Sequence, residues 1–235
     1  IAQKLKFKGL QDKAREKIDQ IAEARGLTAD ELADRLVPDL GLDEDGSLPL
    51  DFGPRSFRVV FDESLKPFAK EESGKRLPDL PKPRKDDDEA KSKEATETWK
   101  ALKKDSKTIA QQQVTRLELA MCGRRRWTVD VFRPFLVEHP LMRHLVQRIV
   151  WGTYDAEGKL TSLFRVAEDG SYADASDEVF ALPEGASIGV AHRLEMQRDD
   201  EAKFAQSFPD YELLQPFKQF GRETFALPPE EAALP

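Results

Sequence analysis

Residues 116–152 read RLELAMCGRRRWTVDVFRPFLVEHPLMRHLVQRIVWG, the part of the chain that is richest in both large apolar side chains and positive charge. Residues 99–152 contain eleven Lys or Arg and only four Asp or Glu, although the whole chain has a net charge of −7. The overall negative charge argues against a protein that coats nucleic acid with its whole surface. We take this stretch as the centre of the fold.

Helical patterns lie on both sides of its three arginines. Between about residues 88 and 126 only Gly123 interrupts an apolar stripe formed by Trp99, Leu102, Ile109, Leu117, Ala120 and Met121. Thr128 can cap the next helix, and Pro140 suits the first position of another, with Leu141, Leu145 and Ile149 inward. We predict that these helices form a central layer, with Trp127 and Trp151 as core anchors at its two ends.

The residues outside this layer alternate with period two. Two runs precede it, Leu48, Leu50 and Phe52, then Phe57, Val59 and Phe61, and the intervening Gly53-Pro54-Arg55 predicts a hairpin. Further strands are predicted after Val150, on Leu160, Ser162, Phe164 and Val166 and around Phe180, Leu182, Ile188 and Val190. The predicted fold class is α+β, a central helical layer with two small antiparallel sheet regions.

We predict the following division of the chain. Residues 1–26 are the end of a preceding helical region, with Leu10, Ala14, Ile18 and Ile21 on one apolar face. Residues 27–229 form a single α+β domain that opens with a capping box from Thr28 to Glu31. Residues 81–97 inside it are a solvated linker running into a helix, mobile over 81–90, and residues 230–235 are a tail. Since the chain begins at Ile1 without Met, we expect it to be a piece of a longer protein.

Pro216 is predicted to begin a last helix, which ends at Leu227-Pro228-Pro229. Phe217 and Phe220 would share its apolar face, and Gln215, Gln219 and Arg222 would share a polar one. That polar face has two interpretations. It either satisfies buried backbone and pairs with a carboxylate such as Glu118, or it binds an acidic partner.

Composition excludes several classes of protein. The only cysteine, Cys122, cannot form an internal disulfide and is typical of a reducing compartment, so we expect a cytoplasmic location. A membrane span needs a run of about 18 apolar residues, and the sequence has no such run; we also expect no signal peptide. No glycine-rich phosphate loop or dinucleotide fingerprint is present, and no cofactor is predicted.

Three stretches match catalytic patterns loosely, and each also has a structural interpretation. Gly185-Ala186-Ser187-Ile188-Gly189, with His192 nearby, matches a nucleophile elbow, but strand-forming residues follow where a helix is needed, which favours a hairpin turn. Pro78-Asp79 and Glu89-Ala90-Lys91 loosely match a metal-dependent nuclease, but the second group lies in a helix-forming stretch. His139 and His144 are five apart rather than four, so His139 is predicted to be a cap or a buried hydrogen-bonding group.

The cluster Arg124-Arg125-Arg126-Trp127 has three interpretations. Arginine guanidinium groups bind phosphates and carboxylates in a bidentate manner, and Trp offers a stacking face, so an acidic protein or a nucleic acid could bind here. Arginines after a helix also interact favourably with its dipole and its last carbonyl groups, which is a structural role.

Six short sequence motifs occur in an order that resembles a known family. They are Asp51-Phe52-Gly53-Pro54-Arg55, Arg116-Leu117-Glu118, Arg125-Arg126-Trp127, His139-Pro140-Leu141, Val150-Trp151-Gly152 and Gln215-Pro216-Phe217 with Gln219 and Arg222. Over roughly residues 28–226 the chain resembles the bacterial domain-of-unknown-function family 4132 (DUF4132). Its members look like the C-terminal part of proteins called molybdate metabolism regulators, often beside a DNA-associated WGR domain. Trp151-Gly152-Thr153 lacks the Arg of that motif, and the family supplies no agreed catalytic residues.

The predicted function is a non-enzymatic interaction or scaffold domain of a larger bacterial cytoplasmic protein, with an unidentified protein partner. A DNA-linked regulatory role is the second hypothesis, implied by the resemblance, with nucleic acid bound through the full-length protein, and a cryptic hydrolase is the third. The candidate interaction surface consists of Arg124, Arg125, Arg126, Gln215, Gln219 and Arg222.

Overall fold

The computed structural model describes residues 7–223. They fall into two compact units, divided between Asp39 and Leu40. The first unit contains helices α1 (Lys8–Glu23) and α2 (Ala29–Arg35). The predicted capping box is present, since the Thr28 amide donates to Glu31 at 2.7 Å and the Glu31 amide donates to the Thr28 hydroxyl at 3.2 Å.

The second unit opens with a four-stranded antiparallel meander. Its strands, β1 (Leu48–Asp51), β2 (Ser56–Phe61), β3 (Pro67–Glu71) and β4 (Arg76–Leu77), lie in sequence order. The predicted turn joins β1 to β2, with Gly53 at φ 87°, a conformation that glycine adopts without a steric penalty. Phe57, Val59 and Phe61 are buried, as their alternation predicts.

The segment between this sheet and the next helix is solvated but fastened at its end. Asp87 forms an ion pair with Arg55 of the β1–β2 turn, with Nε to Oδ1 at 3.0 Å. The Asp88 amide donates to the Phe52 carbonyl at 2.9 Å, and the Asp88 carboxylate caps the next helix by accepting from the Lys91 amide. These bonds restrain the end of the segment predicted to be mobile over residues 81–90. The sequence does not suggest them, because the partner of Asp87 is 32 positions away.

Helix α3 (Glu89–Cys122) is the long central helix that the apolar stripe predicts. Trp99, Leu102, Leu117 and Met121 of that stripe are buried. The helix ends at Gly123, and Arg124 then adopts φ 53°, which turns the chain away from the helical axis.

Short helical turns follow in place of two regular helices. They are α4 (Val129–Phe132), a π-helical turn (Arg133–Val137) and α5 (Arg143–Val146). The His139 ring nitrogen accepts from the amides of Leu141 and Met142, so it caps the turn that precedes α5 rather than the helix itself. The tryptophans are both buried, but they are not at opposite ends of the layer, since Trp127 packs edge-on against Trp151 at 5.8 Å.

The second sheet has five antiparallel strands in the order β5-β9-β6-β7-β8. They are β5 (Trp127–Thr128), β6 (Val150–Tyr154), β7 (Leu160–Val166), β8 (Tyr172–Ala173) and β9 (Ser187–Val190). The strand predicted around Phe180 and Leu182 is absent, and the Phe180 ring instead stacks on Phe164 at 5.3 Å. The α+β prediction is confirmed.

Helix α6 (Arg198–Asp210) packs Phe204 and Phe208 into a cluster with Val150 and Phe220. The predicted helix after Pro216 is wrong, since residues 214–223 form bends and turns. Leu227-Pro228-Pro229 and the predicted tail lie outside the described residues. No helix within residues 7–223 is both long and apolar enough to cross a membrane.

Candidate interaction surface

The three arginines after α3 diverge because the helix ends before them. Arg124 is the most exposed, with three quarters of its side chain accessible to solvent. The Arg125 guanidinium lies 4.9 Å from the Trp127 ring centre, and that of Arg126 lies 3.4 Å from the Tyr154 ring centre. Both are cation–π contacts, so Arg125 and Arg126 are held against the second sheet.

Glu195 gathers several of these groups. Its Oε1 is 3.6 Å from Arg124 Nε and 3.7 Å from Arg126 Nη2, while its Oε2 accepts from the Tyr154 hydroxyl at 2.8 Å. Burial, and after it the hydrogen bond to Glu195, raises the pKa of Tyr154, which therefore remains a protonated donor. A single carboxylate thus counters the charge of two arginines and fixes their positions.

Gly189 in β9 is required by this arrangement. A Cβ at position 189 would lie 2.5 Å from Arg126 Nη1, closer than atoms can approach. The glycine that completes the elbow-like pattern therefore makes room for an arginine. Ser187 and Ile188 continue as strand β9, and the His192 ring accepts from the Leu194 amide as a cap. These roles replace the serine hydrolase interpretation.

Gln219 is 1% exposed, and its side chain bonds to backbone groups inside the domain. Its Oε1 accepts from the Val150 amide at 2.9 Å, and its Nε2 donates to the carbonyls of Val150 and Ala191, both at 2.7 Å. The Gln215 Oε1 accepts from the amides of Gln219 and Phe220. These two glutamines thus position the C-terminal segment against β6 and the end of β9.

Arg222 joins that segment to the end of α3. Its Nη1 lies 2.8 Å from Glu118 Oε1, the carboxylate named in the structural interpretation of the polar face, and its Nη2 lies 3.9 Å from the Cys122 sulfur. The Arg222 carbonyl accepts from Arg193, and Arg193 Nε lies 2.9 Å from Glu201 Oε1.

The turn Arg193–Glu195 thereby brings the two predicted groups of residues together. Arg193 binds the segment that carries Arg222, while Glu195 pairs with Arg124 and Arg126. Burial lowers the pKa of His192, and the positive charges of Arg222 and Arg124 act in the same direction against an opposing effect of Glu195.

Two large apolar side chains are exposed beside these arginines. Leu194 is 70% exposed within the turn, and Leu119 is 65% exposed on α3, three positions before Cys122 and so on the same face. We call the combined set the arginine surface: Arg124, Arg126, Arg193, Arg222, Leu119 and Leu194. Sequence reasoning missed Arg193, Leu194 and Glu195, since no local pattern distinguishes them.

The charge of the arginine surface is nearly balanced. Its four arginines contact three carboxylates, those of Glu118, Glu195 and Glu201. A nucleic-acid interface needs a continuous positive face, because affinity comes largely from phosphate neutralisation. Apolar side chains set among fixed arginines suit a protein partner better.

The residues considered for metal binding and nuclease chemistry have structural positions within residues 7–223. Among residues 7–223 no three His, Cys, Asp or Glu side chains are grouped to hold a metal ion. Asp79 lies 2.9 Å from the Lys103 ammonium and accepts from the Trp99 indole, whereas Glu89 is in the first turn of α3. His144 is bonded to the Gly46 carbonyl at 2.7 Å.

Comparisons with known proteins give a family and a longer relative. The model of the family described as "Domain of unknown function (DUF4132)" matches residues 74–234. The chain is 44% identical over 234 residues to "Uncharacterized protein YehI" of Escherichia coli (strain K12), a match that covers 99% of this chain. The chain spans 19% of the length of that relative. No solved structure matches this chain significantly.

Proposed function

The chain belongs to the DUF4132 family, and on that premise we propose that it is a non-enzymatic protein-interaction domain of a longer polypeptide. The supporting observation is the arginine surface, in which Leu119 and Leu194 are exposed beside arginines that carboxylates and an aromatic ring hold in place. Arginine and exposed apolar groups are typical of protein interfaces.

The expected partner presents a short apolar segment flanked by Asp or Glu. Its apolar side chains would cover Leu119 and Leu194, and its carboxylates would pair with Arg124, which has the most exposed guanidinium of the surface. Because Arg126 and Arg222 are already fixed by Glu195 and Glu118, binding costs little side-chain entropy there.

A cytoplasmic location is part of this proposal and is supported by the lone Cys122, which is a free thiol. The DNA-linked regulatory role, with its molybdate-regulator context, depends on the resemblance rather than on this surface. The near balance of arginines and carboxylates argues against phosphate as the main target.

The proposal is tested with the full-length protein, tagged and recovered from its native cell. Leu194→Asp should reduce the recovery of a specific partner at least tenfold, because it removes an exposed apolar side chain and adds a negative charge that repels the carboxylates of the partner. Val179→Asp is the matched control, since Val179 is 93% exposed and belongs to no part of the arginine surface. Bound proteins are quantified by mass spectrometry.

Arg124→Glu should weaken the same partner, with Arg84→Glu in the exposed segment before α3 as its control. The proposal fails if Leu194→Asp and Arg124→Glu recover the same proteins in the same amounts as the wild type. Equal losses in the test and control variants would also contradict it.

A further inference from the structure

A cleft of about 790 Å³ lies in the second unit, away from the arginine surface, and shares no residue with it. Its walls are the β2–β3 turn, the segment after β4, one face of α3 between residues 103 and 114, and Pro216. The volume falls in the range of ligand-binding pockets, about 300–1,000 Å³.

The lining of the cleft is apolar over much of its area. Leu65 and Ala110 are buried, and they are joined by Val114 and three prolines, Pro67, Pro78 and Pro216. A bare inorganic ion gains nothing from such a lining, whereas the apolar part of an organic ligand does.

Three lysines give the cleft a positive charge. Lys103 and Lys107 are four positions apart on α3 and so share a face, and Lys66 faces them from the β2–β3 turn. Asp79 also lines the cleft, but its carboxylate is already 2.9 Å from the Lys103 ammonium. Within residues 7–223, no carboxylate pairs with Lys66 or Lys107, which leaves two uncompensated positive charges.

The turn that carries Lys66 is held in an uncommon conformation. Leu65 has φ 53°, which costs energy for a residue other than glycine, and its side chain is fully buried. The Asp62 carboxylate fixes the turn by accepting from the amides of Ser64 and Lys66, both at 2.9 Å. Lys66 is therefore presented from a rigid turn.

We propose that this cleft binds a small organic anion. The apolar body of the ligand packs on Val114, Pro78 and Pro216, above the buried Leu65 and Ala110, and its single phosphate or carboxylate group is bound by Lys66 and Lys107. The chemistry shared by the two kinds of head group is a negative charge on an apolar body.

Four probes separate the contributions, each titrated calorimetrically into the whole chain. They are 1-naphthyl phosphate, 1-naphthoate, neutral 1-naphthol and inorganic phosphate. We expect naphthyl phosphate or naphthoate to bind at least tenfold more tightly than naphthol and inorganic phosphate, and the stronger of the two identifies the head group. Amide chemical shifts should change at residues 64–67 and 107–114.

The double variant Lys66→Ala with Lys107→Ala should weaken the better probe at least tenfold. Its matched control is Lys75→Ala with Lys104→Ala, two exposed lysines that do not line the cleft and whose loss should leave binding unchanged. All four substituted lysines are exposed, and melting curves of both variants verify that they are folded.

The inference is overturned if neither anionic probe binds at millimolar concentration, or if the chemical shifts change at the arginine surface instead. It is equally overturned if the Lys66 and Lys107 variant binds as the wild type does. The interaction function is measured through Leu194 and Arg124, so the failure of either proposal leaves the other standing.

Discussion

Trp151 has the largest fully buried side chain of the described residues. Its side chain is fully buried, its indole donates to the Val146 carbonyl at 3.0 Å, and the rings of Phe132 and Trp127 pack edge-on against it. We expect Trp151→Ala to lower the free energy of unfolding by about 3–5 kcal/mol. Urea denaturation measures the loss, with Val179→Ala as the exposed control. A loss below about 1 kcal/mol would contradict the role of Trp151 as a core anchor.

Gln219 is a buried polar residue whose side chain bonds to backbone groups of the core. Removing its amide deletes the bonds of Gln219 to the Val150 amide and the Ala191 carbonyl, in a site that is 1% exposed, while the Val150 carbonyl still accepts from the Ala191 amide at 3.2 Å. An unsatisfied buried polar group costs about 1–3 kcal/mol, so Gln219→Ala should destabilise the protein by at least that much. The neighbouring exposed Lys218→Ala should be neutral in the same denaturation experiment. If the two variants unfold alike, the amide bonds do not stabilise this segment.

At the scale of elements, the segment before α3 acts as a latch onto the first hairpin. The pKa of the Asp87 carboxyl lies below its usual value because it accepts hydrogen bonds from the Arg55 guanidinium, and the Asp88 amide is bonded to Phe52. We expect limited trypsin digestion to cut at Arg84 or Lys85 faster in Arg55→Ala than in the wild type, because the latch is lost. Arg76→Ala, which removes an exposed arginine of β4, is the control. Equally rapid cleavage of the wild type would agree with the mobility that the sequence predicts.

Element type is predictable from this sequence where the pattern is local. Helix α3, the first hairpin and the Thr28 capping box follow from periodicity and turn residues alone. The helix predicted after Pro216 does not form, because contacts with residues distant in sequence determine the conformation of this segment. Gln219 must reach the end of β6 and β9, 69 positions from Val150, and Gln215 is used to cap this bend rather than a helix.

At the scale of the whole molecule, the candidate surface could be predicted only in part. Glu118 was named as an example of a carboxylate partner in one of the two interpretations of the polar face, and the structure contains its pair with Arg222. The turn that unites both groups could not be found, because Arg193 and Glu195 act through partners 29 and roughly 70 positions away. Their neighbours in sequence give no signal of these contacts, which depend on how β9 lies beside β5 and β6.

The buried His144 makes the stability of the whole molecule sensitive to acid. Burial, helped by the charges of Arg148 and Arg143, lowers its pKa from 6.5 to about 4. Its Nε2 donates to the Gly46 carbonyl at 2.7 Å, and a Cβ at Gly46 would lie 2.6 Å from that nitrogen. The ring is thus enclosed in its neutral form.

The sign of the effect follows from which state binds the proton first. As the pH falls from 6.5 to about 4, the unfolded chain protonates His144 while the folded chain does not, so the free energy of unfolding decreases. The decrease approaches about 1.4 kcal/mol per pH unit, or on the order of 3 kcal/mol over the whole interval. Below pH 4 this contribution is constant, and the carboxyls with lowered pKa values, such as Asp79 and Asp177, continue the loss as they protonate.

His144→Gln separates this contribution from all others, because the Gln amide can still donate to the Gly46 carbonyl but does not titrate. Urea denaturation at pH 7, 6, 5 and 4 should give a free energy of unfolding that falls with pH in the wild type and is much flatter in the variant. His192→Gln is the matched control. It should retain most of the slope, since His192 is only partly buried, whereas His144 is buried and bonded to the Gly46 carbonyl. Equal slopes in the wild type and His144→Gln would show that protonation of His144 does not govern acid stability.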